Sequence, residues 1–186
     1  MGPIGPVYSI GHSTRSLEEL VALLHEYGVG VLADIRTAPG SRRLPQFGRA
    51  SLASELPRRG LAYVHLPELG GFRKPRPDSR NTAWRNASFR GYADYMETPE
   101  FEAGLERLLG LRGGAGSGGA LAMMCAEAVP WRCHRSLVAD ALFARGLVVQ
   151  HILGPGDLRP HTLTPFARVD GTDTFYPGPD RLPLNG

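Results

Sequence analysis

Apolar positions fall into five short blocks along this chain, separated by polar stretches or segments of helical period. Val7-Tyr8-Ser9-Ile10 is a β-prone run that stops at Gly11-His12-Ser13-Thr14. Leu17, Leu20, Val21, Leu24 and Tyr27 then recur at helical spacing. Ser16 stands where an N-cap belongs, Glu18 and Glu19 suit the first turn, and Gly28 is a stop. Val29 to Ile35 is almost continuously apolar, as expected of a strand covered on both faces. Residues 37–49 are rich in Pro, Gly and Arg and read as a loop, followed by a short helix from Ser51 to Arg59.

Leu61 to Leu66 is the third strand. Residues 67–90 are polar and basic, with Gly70-Gly71 near the start and Trp84 and Phe89 inside; such a long loop implies a function or some helix. Tyr92 to Leu111 reads as helix, with Pro99 marking a break or a fresh start at Thr98. After a Gly/Ser-rich connector, Gly113 to Gly119, come a fourth strand (Ala120–Cys125), a helix (Ser136–Arg145) and a fifth strand (Leu147–Ile152). Residues 154–186, rich in Gly and Pro, read as a tail.

Strict alternation of strand and helix predicts an α/β fold: a single domain over residues 1–165 with a largely parallel five-stranded sheet and helices on both faces, a Rossmann-like three-layer arrangement. Residues 166–186 are left as the C-terminal tail. Sheets of this kind bind ligands beyond the carboxyl ends of their strands. Those ends carry His12, Ser13, Thr14 and Arg15, then Asp34 and Arg36, then His65 and Glu68, then Cys125 and Glu127, then His151. A shared polar cleft is therefore expected.

Composition adds a compartment and a charge pattern. With 42% hydrophobic and 21% charged residues the chain reads as an ordinary globular protein, and no apolar run is long enough to cross a bilayer. The first six residues lack the basic-then-apolar pattern of a secretory signal. With only two cysteines, the expectation is a cytoplasmic protein with free thiols and no membrane partner. Residues 35–90 hold twelve basic side chains against three acidic ones, which suits an anionic partner, a phosphate-bearing small molecule or nucleic acid.

The densest chemistry lies in Cys125-Ala126-Glu127 and Arg132-Cys133-His134-Arg135. Cys133 stands just ahead of a helix, where unpaired N–H groups and basic neighbours lower a thiol's pKa. Cys125 ends a buried strand, where cysteine is often only a small apolar residue. Three chemistries are open. In the leading one a thiolate, Cys133 by preference over Cys125, attacks a phosphate-bearing or nucleotide-like ligand. Glu127 or His134 would serve as acid/base, and His12, Ser13, Asp34, Arg36, Glu68, Arg132 and Arg135 would hold the ligand. In the second the basic, aromatic stretch 72–92 grips nucleic acid without catalysis. In the third Cys125 and Cys133 form a redox pair. No metal or cofactor is expected, because Cys-x₇-Cys-His lacks zinc pairing and the Gly-Lys-Ser/Thr of a phosphate loop is absent.

Four separated motifs carry a family resemblance: Tyr8-Ser9-Ile10-Gly11-His12-Ser13, Leu32-Ala33-Asp34-Ile35-Arg36, Leu66-Pro67-Glu68-Leu69-Gly70-Gly71, and Cys125-Ala126-Glu127 with Cys133-His134-Arg135. In this order they resemble the bacterial and archaeal Domain of Unknown Function 488 proteins, over about residues 7–165. The resemblance implies a compact cytoplasmic α/β fold with a polar pocket built from the matched residues, and implies no particular activity.

Overall fold

The computed structural model describes residues 5–113 and 119–179. Most of the Gly113–Gly119 connector and the last residues of the expected tail, 180–186, lie outside the described residues.

Six strands form the main sheet in the order β3-β2-β4-β1-β5-β6. Their spans are β1 Val7–Gly11, β2 Val29–Asp34, β3 Ala62–His65, β4 Ala120–Cys125, β5 Val149–Gly154 and β6 Asp157–Pro160. The first five run parallel, as the strand–helix alternation requires. The sixth is added to the expected five: it pairs antiparallel with β5 across a tight turn. Its short, half-exposed sequence Asp157-Leu158-Arg159-Pro160 has no apolar run to announce it, and the proline ends it at the sheet's edge.

Among the described residues, five α-helices connect and cover the sheet: α1 Leu17–Glu26, α2 Arg49–Arg58, α3 Ala87–Tyr95, α4 Pro99–Gly110 and α5 Arg135–Ala144. Ser16 and Glu19 close a reciprocal capping box at the start of α1. The Pro99 signal resolves as a fresh start, with Thr98 capping α4. Helices α1 and α2 cover one face, burying Leu20, Leu24, Leu52 and Leu56 against Ile10, Leu32 and Met124. Helices α3, α4 and α5 cover the other, where Tyr92, Phe101, Leu105 and Leu137 meet Val31, Met123 and Cys125. Among the described residues, no helix is long and apolar enough to cross a membrane.

This strand order positions the site. Strands β1 and β4 are neighbours, yet from β1 the chain leaves toward β2 and β3, while from β4 it leaves toward β5. Oppositely directed exits open a crevice at the carboxyl ends of this pair. The register sets Gly11 beside Cys125 and Asp34 beside Met124, so three strands deliver their polar tips to one place. Gly11 is required there by contact: a Cβ on it would lie 1.7 Å from the Glu127 carbonyl oxygen.

The stretch from residue 161 continues on the domain surface. Strands β7 Arg168–Asp170 and β8 Asp173–Phe175 form a hairpin, and Tyr176 is fully buried.

Candidate functional site

A cleft of about 460 Å³ opens at the strand ends and is lined by His12, Arg36, Cys125, Glu127, Arg132, Cys133 and His134, among others. Its remaining wall is mostly apolar, from Leu44, Phe72, Phe89 and Tyr92. The volume lies within the range of small-molecule sites.

At the cleft's floor the two sulfurs are 2.7 Å apart. Both cysteines are free and buried, Cys125 at 1% exposure and Cys133 at 6%. A disulfide of about 2.05 Å would need well under 1 Å of sulfur movement. The Cys133 sulfur also receives the backbone N–H of Arg135, 3.4 Å away, at the start of α5.

Arg135 is fully buried on the first residue of α5. Its Nη2 donates a long 3.4 Å bond to the Ala128 carbonyl, while Nε and Nη1 have no partner among the described residues. Nη1 lies against Gly11, in the space a side chain would otherwise take. A buried cation without a carboxylate calls for a negative charge nearby. Cys125 is where that charge falls. Burial alone would raise its thiol, but the hydrogen bond from Cys133 and the Arg135 charge outweigh it and hold the group below the usual thiol range. Cys133 goes the other way: its hydrogen bond to Cys125 and then its own burial push it far up. Of the two thiols, the surroundings therefore favour Cys125 as the anion.

Two histidines, His12 and His134, line the cleft, and hydrogen bonding fixes their tautomers and that of His65 at the end of β3. His12 donates from Nδ1 to the Ser13 carbonyl (2.8 Å), so Nε2 is the acceptor, and Arg36 Nη1 occupies it at 3.1 Å. His65 donates from Nε2 to the Arg36 carbonyl at 2.8 Å. His134 donates from Nε2 to the Ile35 carbonyl (3.1 Å), leaving the Nδ1 lone pair 3.5 Å from the Cys133 sulfur. Burial, opposed by that bond, brings the His134 pKa down to about 4, so the ring is neutral near pH 7. Gly71 packs against the same nitrogen; a Cβ there would come within 2.9 Å of it.

Other expected ligand residues have structural duties. Asp34 is fully buried and takes two bonds from the Arg36 guanidinium, at 2.8 and 2.6 Å, plus the Tyr63 hydroxyl at 2.7 Å. Arg36 also donates to the Phe47 carbonyl, so its fork is occupied. Ser13 is held through its backbone, at φ +50°, with its N–H on the Ala126 carbonyl. Glu68 does not join the cleft: its carboxylate pairs with Arg107 of α4. His151 is buried away from the cleft between Ser9 and His161. Glu127 and Arg132 are exposed at the rim.

The basic stretch 72–92 is pinned down by contacts within the chain. Arg76 and Arg80 both pair with Glu97, Arg73 lies 3.6 Å over the Tyr95 ring, and Arg90 donates to the Trp84 carbonyl. Trp84 stacks on Phe89 and meets Phe166 and Tyr176. Its aromatic rings are packed rather than displayed, apart from Phe72, which is 94% exposed at the cleft rim with φ +62°. Sequence reading passed over Phe72 and Leu44 as cleft wall; the one available signal was the Gly70-Gly71 pair, which marks a close backbone approach.

The fold and cleft together define a three-layer α/β protein with a dithiol at its topological crevice. By sequence the chain belongs to the family described as Domain of unknown function DUF488, which it matches over residues 16–142. No curated protein and no solved structure matches it.

Proposed function

We propose that this protein performs two-electron thiol chemistry, with Cys125 as the attacking thiolate, Cys133 as the resolving thiol and His134 as the base. The observation that carries the reading is the 2.7 Å separation of the sulfurs beside the buried Arg135 guanidinium.

Cys125 attacks a two-electron oxidant of thiols, X–Y; the S–X bond forms and Y leaves with the electron pair of the broken bond. Cys133 then attacks the Cys125 sulfur while its proton moves to His134 Nδ1, which faces it. The S–S bond forms and X leaves with that proton. The oxidant is reduced by two electrons and the site becomes a disulfide. In a reducing compartment such as the cytoplasm the dithiol is the resting form.

Phosphate chemistry has less support. Arg36 is engaged by Asp34, Arg135 lies behind the cleft lining, and Arg132 shares the exposed rim with the acidic Glu127. The choice of Cys125 over Cys133 as nucleophile rests on which sulfur the surroundings favour as the anion.

Mild oxidation with hydrogen peroxide followed by peptide mass spectrometry tests the reading. The expected product is one intramolecular Cys125–Cys133 disulfide. Iodoacetamide at pH 7 should label Cys125 first in the reduced protein. Absence of the linkage, together with labelling of both thiols at the rate of free cysteine, would refute the proposal.

A further inference from the structure

We infer that the oxidant is a hydroperoxide carrying an apolar organic group. The inference rests on the two-thiol reading above and narrows it to a substrate class.

Access comes first. Cys125 and Cys133 line the cleft at only 1% and 6% exposure, beyond the reach of a disulfide on a folded protein surface or of a bulky charged disulfide. Only a slender terminal group reaches them, and the O–OH end of a hydroperoxide is such a group. The walls then say what may be attached to it. Leu44, Phe72, Phe89 and Tyr92 line the approach, so the cleft takes an apolar body behind a small polar head. Phe72 strengthens the point. An exposed phenylalanine held at φ +62° packs on nothing in the free protein, and such backbone conformations concentrate at ligand clamps. Its ring is placed to cover an apolar ligand from solvent.

The chemistry balances within the site. The Cys125 thiolate, its proton already given to water, attacks the terminal oxygen; the S–O bond forms, the O–O bond breaks, and the alkoxide recovers that proton from water and leaves as the alcohol. Cys133 gives its proton to His134 and attacks the Cys125 sulfenic acid. The S–S bond forms, the S–O bond breaks, and hydroxide recovers the proton from His134 to leave as water. Two thiols and one hydroperoxide give one disulfide, one alcohol and one water. A dithiol reductant returns the site to its starting state by two exchange steps, leaving as its own cyclic disulfide.

The experiment mixes the reduced full-length protein with cumene hydroperoxide, hydrogen peroxide or oxidised glutathione, and follows thiol loss and the Cys125–Cys133 linkage by quenched mass spectrometry. Cumene hydroperoxide is expected to react at least about tenfold faster than hydrogen peroxide, a factor that roughly 1.4 kcal/mol of apolar burial supplies. Oxidised glutathione should be the slowest. Phe72→Ala, at an exposed position, should cut the preference for cumene hydroperoxide over hydrogen peroxide about fivefold. Equal rates for the two peroxides, or fastest reaction with oxidised glutathione, would overturn the hydroperoxide assignment while leaving the two-thiol site standing. No linkage with any oxidant would overturn the two-thiol reading itself.

Discussion

At the scale of single residues, Arg135 governs the site. A guanidinium buried with two nitrogens unpartnered is destabilising, and an apolar residue of similar length would suit the core better. Its retention makes sense as the counter-charge of Cys125. Arg135→Met should therefore leave the protein as stable or more so, yet raise the Cys125 titration midpoint. The pH profile of iodoacetamide labelling, read beside thermal melts, checks both halves. Phe72 follows the same logic at the rim. Glycine adopts a positive φ freely, and a side chain 94% exposed buries little, so Phe72→Gly should stabilise the fold by about 1 kcal/mol in urea titration. The same change should weaken selection for an apolar substrate. Much of this site was legible as a list of residue types, because Cys125, Cys133, His134 and Arg135 crowd into eleven positions. Their roles were not. A helix start ahead of Cys133 argues for that thiol as the anion, whereas pairing with Cys125 and the buried Arg135 charge favour the other sulfur.

Among the elements, the parallel core was readable because its strands are apolar on both faces and its helices carry caps. The later segments were not, because polar contacts rather than apolar periodicity hold them. Asp140 on α5 shows how. Its carboxylate accepts from His161 (2.9 Å), from the Thr164 N–H and hydroxyl (3.0 and 2.6 Å), and from the Tyr176 hydroxyl (2.8 Å). Asn81 adds the Tyr176 N–H at 2.8 Å, tying the same segment to the stretch between β3 and α3. No hydrophobic pattern announces a segment docked in this way, so Gly/Pro content alone suggests a tail. Tyr176→Phe keeps the buried ring and removes one charge-assisted bond, leaving Asp140 with its other donors. A loss of about 1.5–3 kcal/mol is expected in chemical denaturation. Limited proteolysis should show cleavage between residues 161 and 179 before cleavage of the core. Unchanged stability would mean that the Tyr176 hydroxyl bond to Asp140 does not hold the segment.

For the molecule as a whole, sheet topology and burial together set how the protein responds to acid. The crevice between β1 and β4 draws His134 inward, and β5 draws His151 into the same side of the sheet. Burial, with the charges of His161 and Arg135, lowers the His151 pKa to about 3, as burial lowers that of His134 to about 4. Both rings fold neutral and titrate near 6.5 once unfolded. The unfolded chain thus takes up protons that the folded chain refuses, and stability rises with pH over that interval. The contribution is complete above pH 6.5 and is lost as pH falls toward 4 for His134 and 3 for His151. Each histidine adds up to about 1.4 kcal/mol per pH unit within its interval. Burial would raise Glu97, but hydrogen bonds from Arg80, Asn81 and Arg76 outweigh it and hold the carboxyl under the ordinary 4.5, at the acid end of this window. Urea midpoints at pH 7.5, 6 and 5 should therefore fall steadily before such carboxylates contribute. His151→Gln, which can still bond to Ser9 and His161, should remove one histidine's share of that slope. A flat profile from pH 7.5 to 5 would mean that both rings accept protons in place. With both pKa values near 6.5, the His134 lone pair would be lost to a proton by pH 5 instead of staying free down to about pH 4.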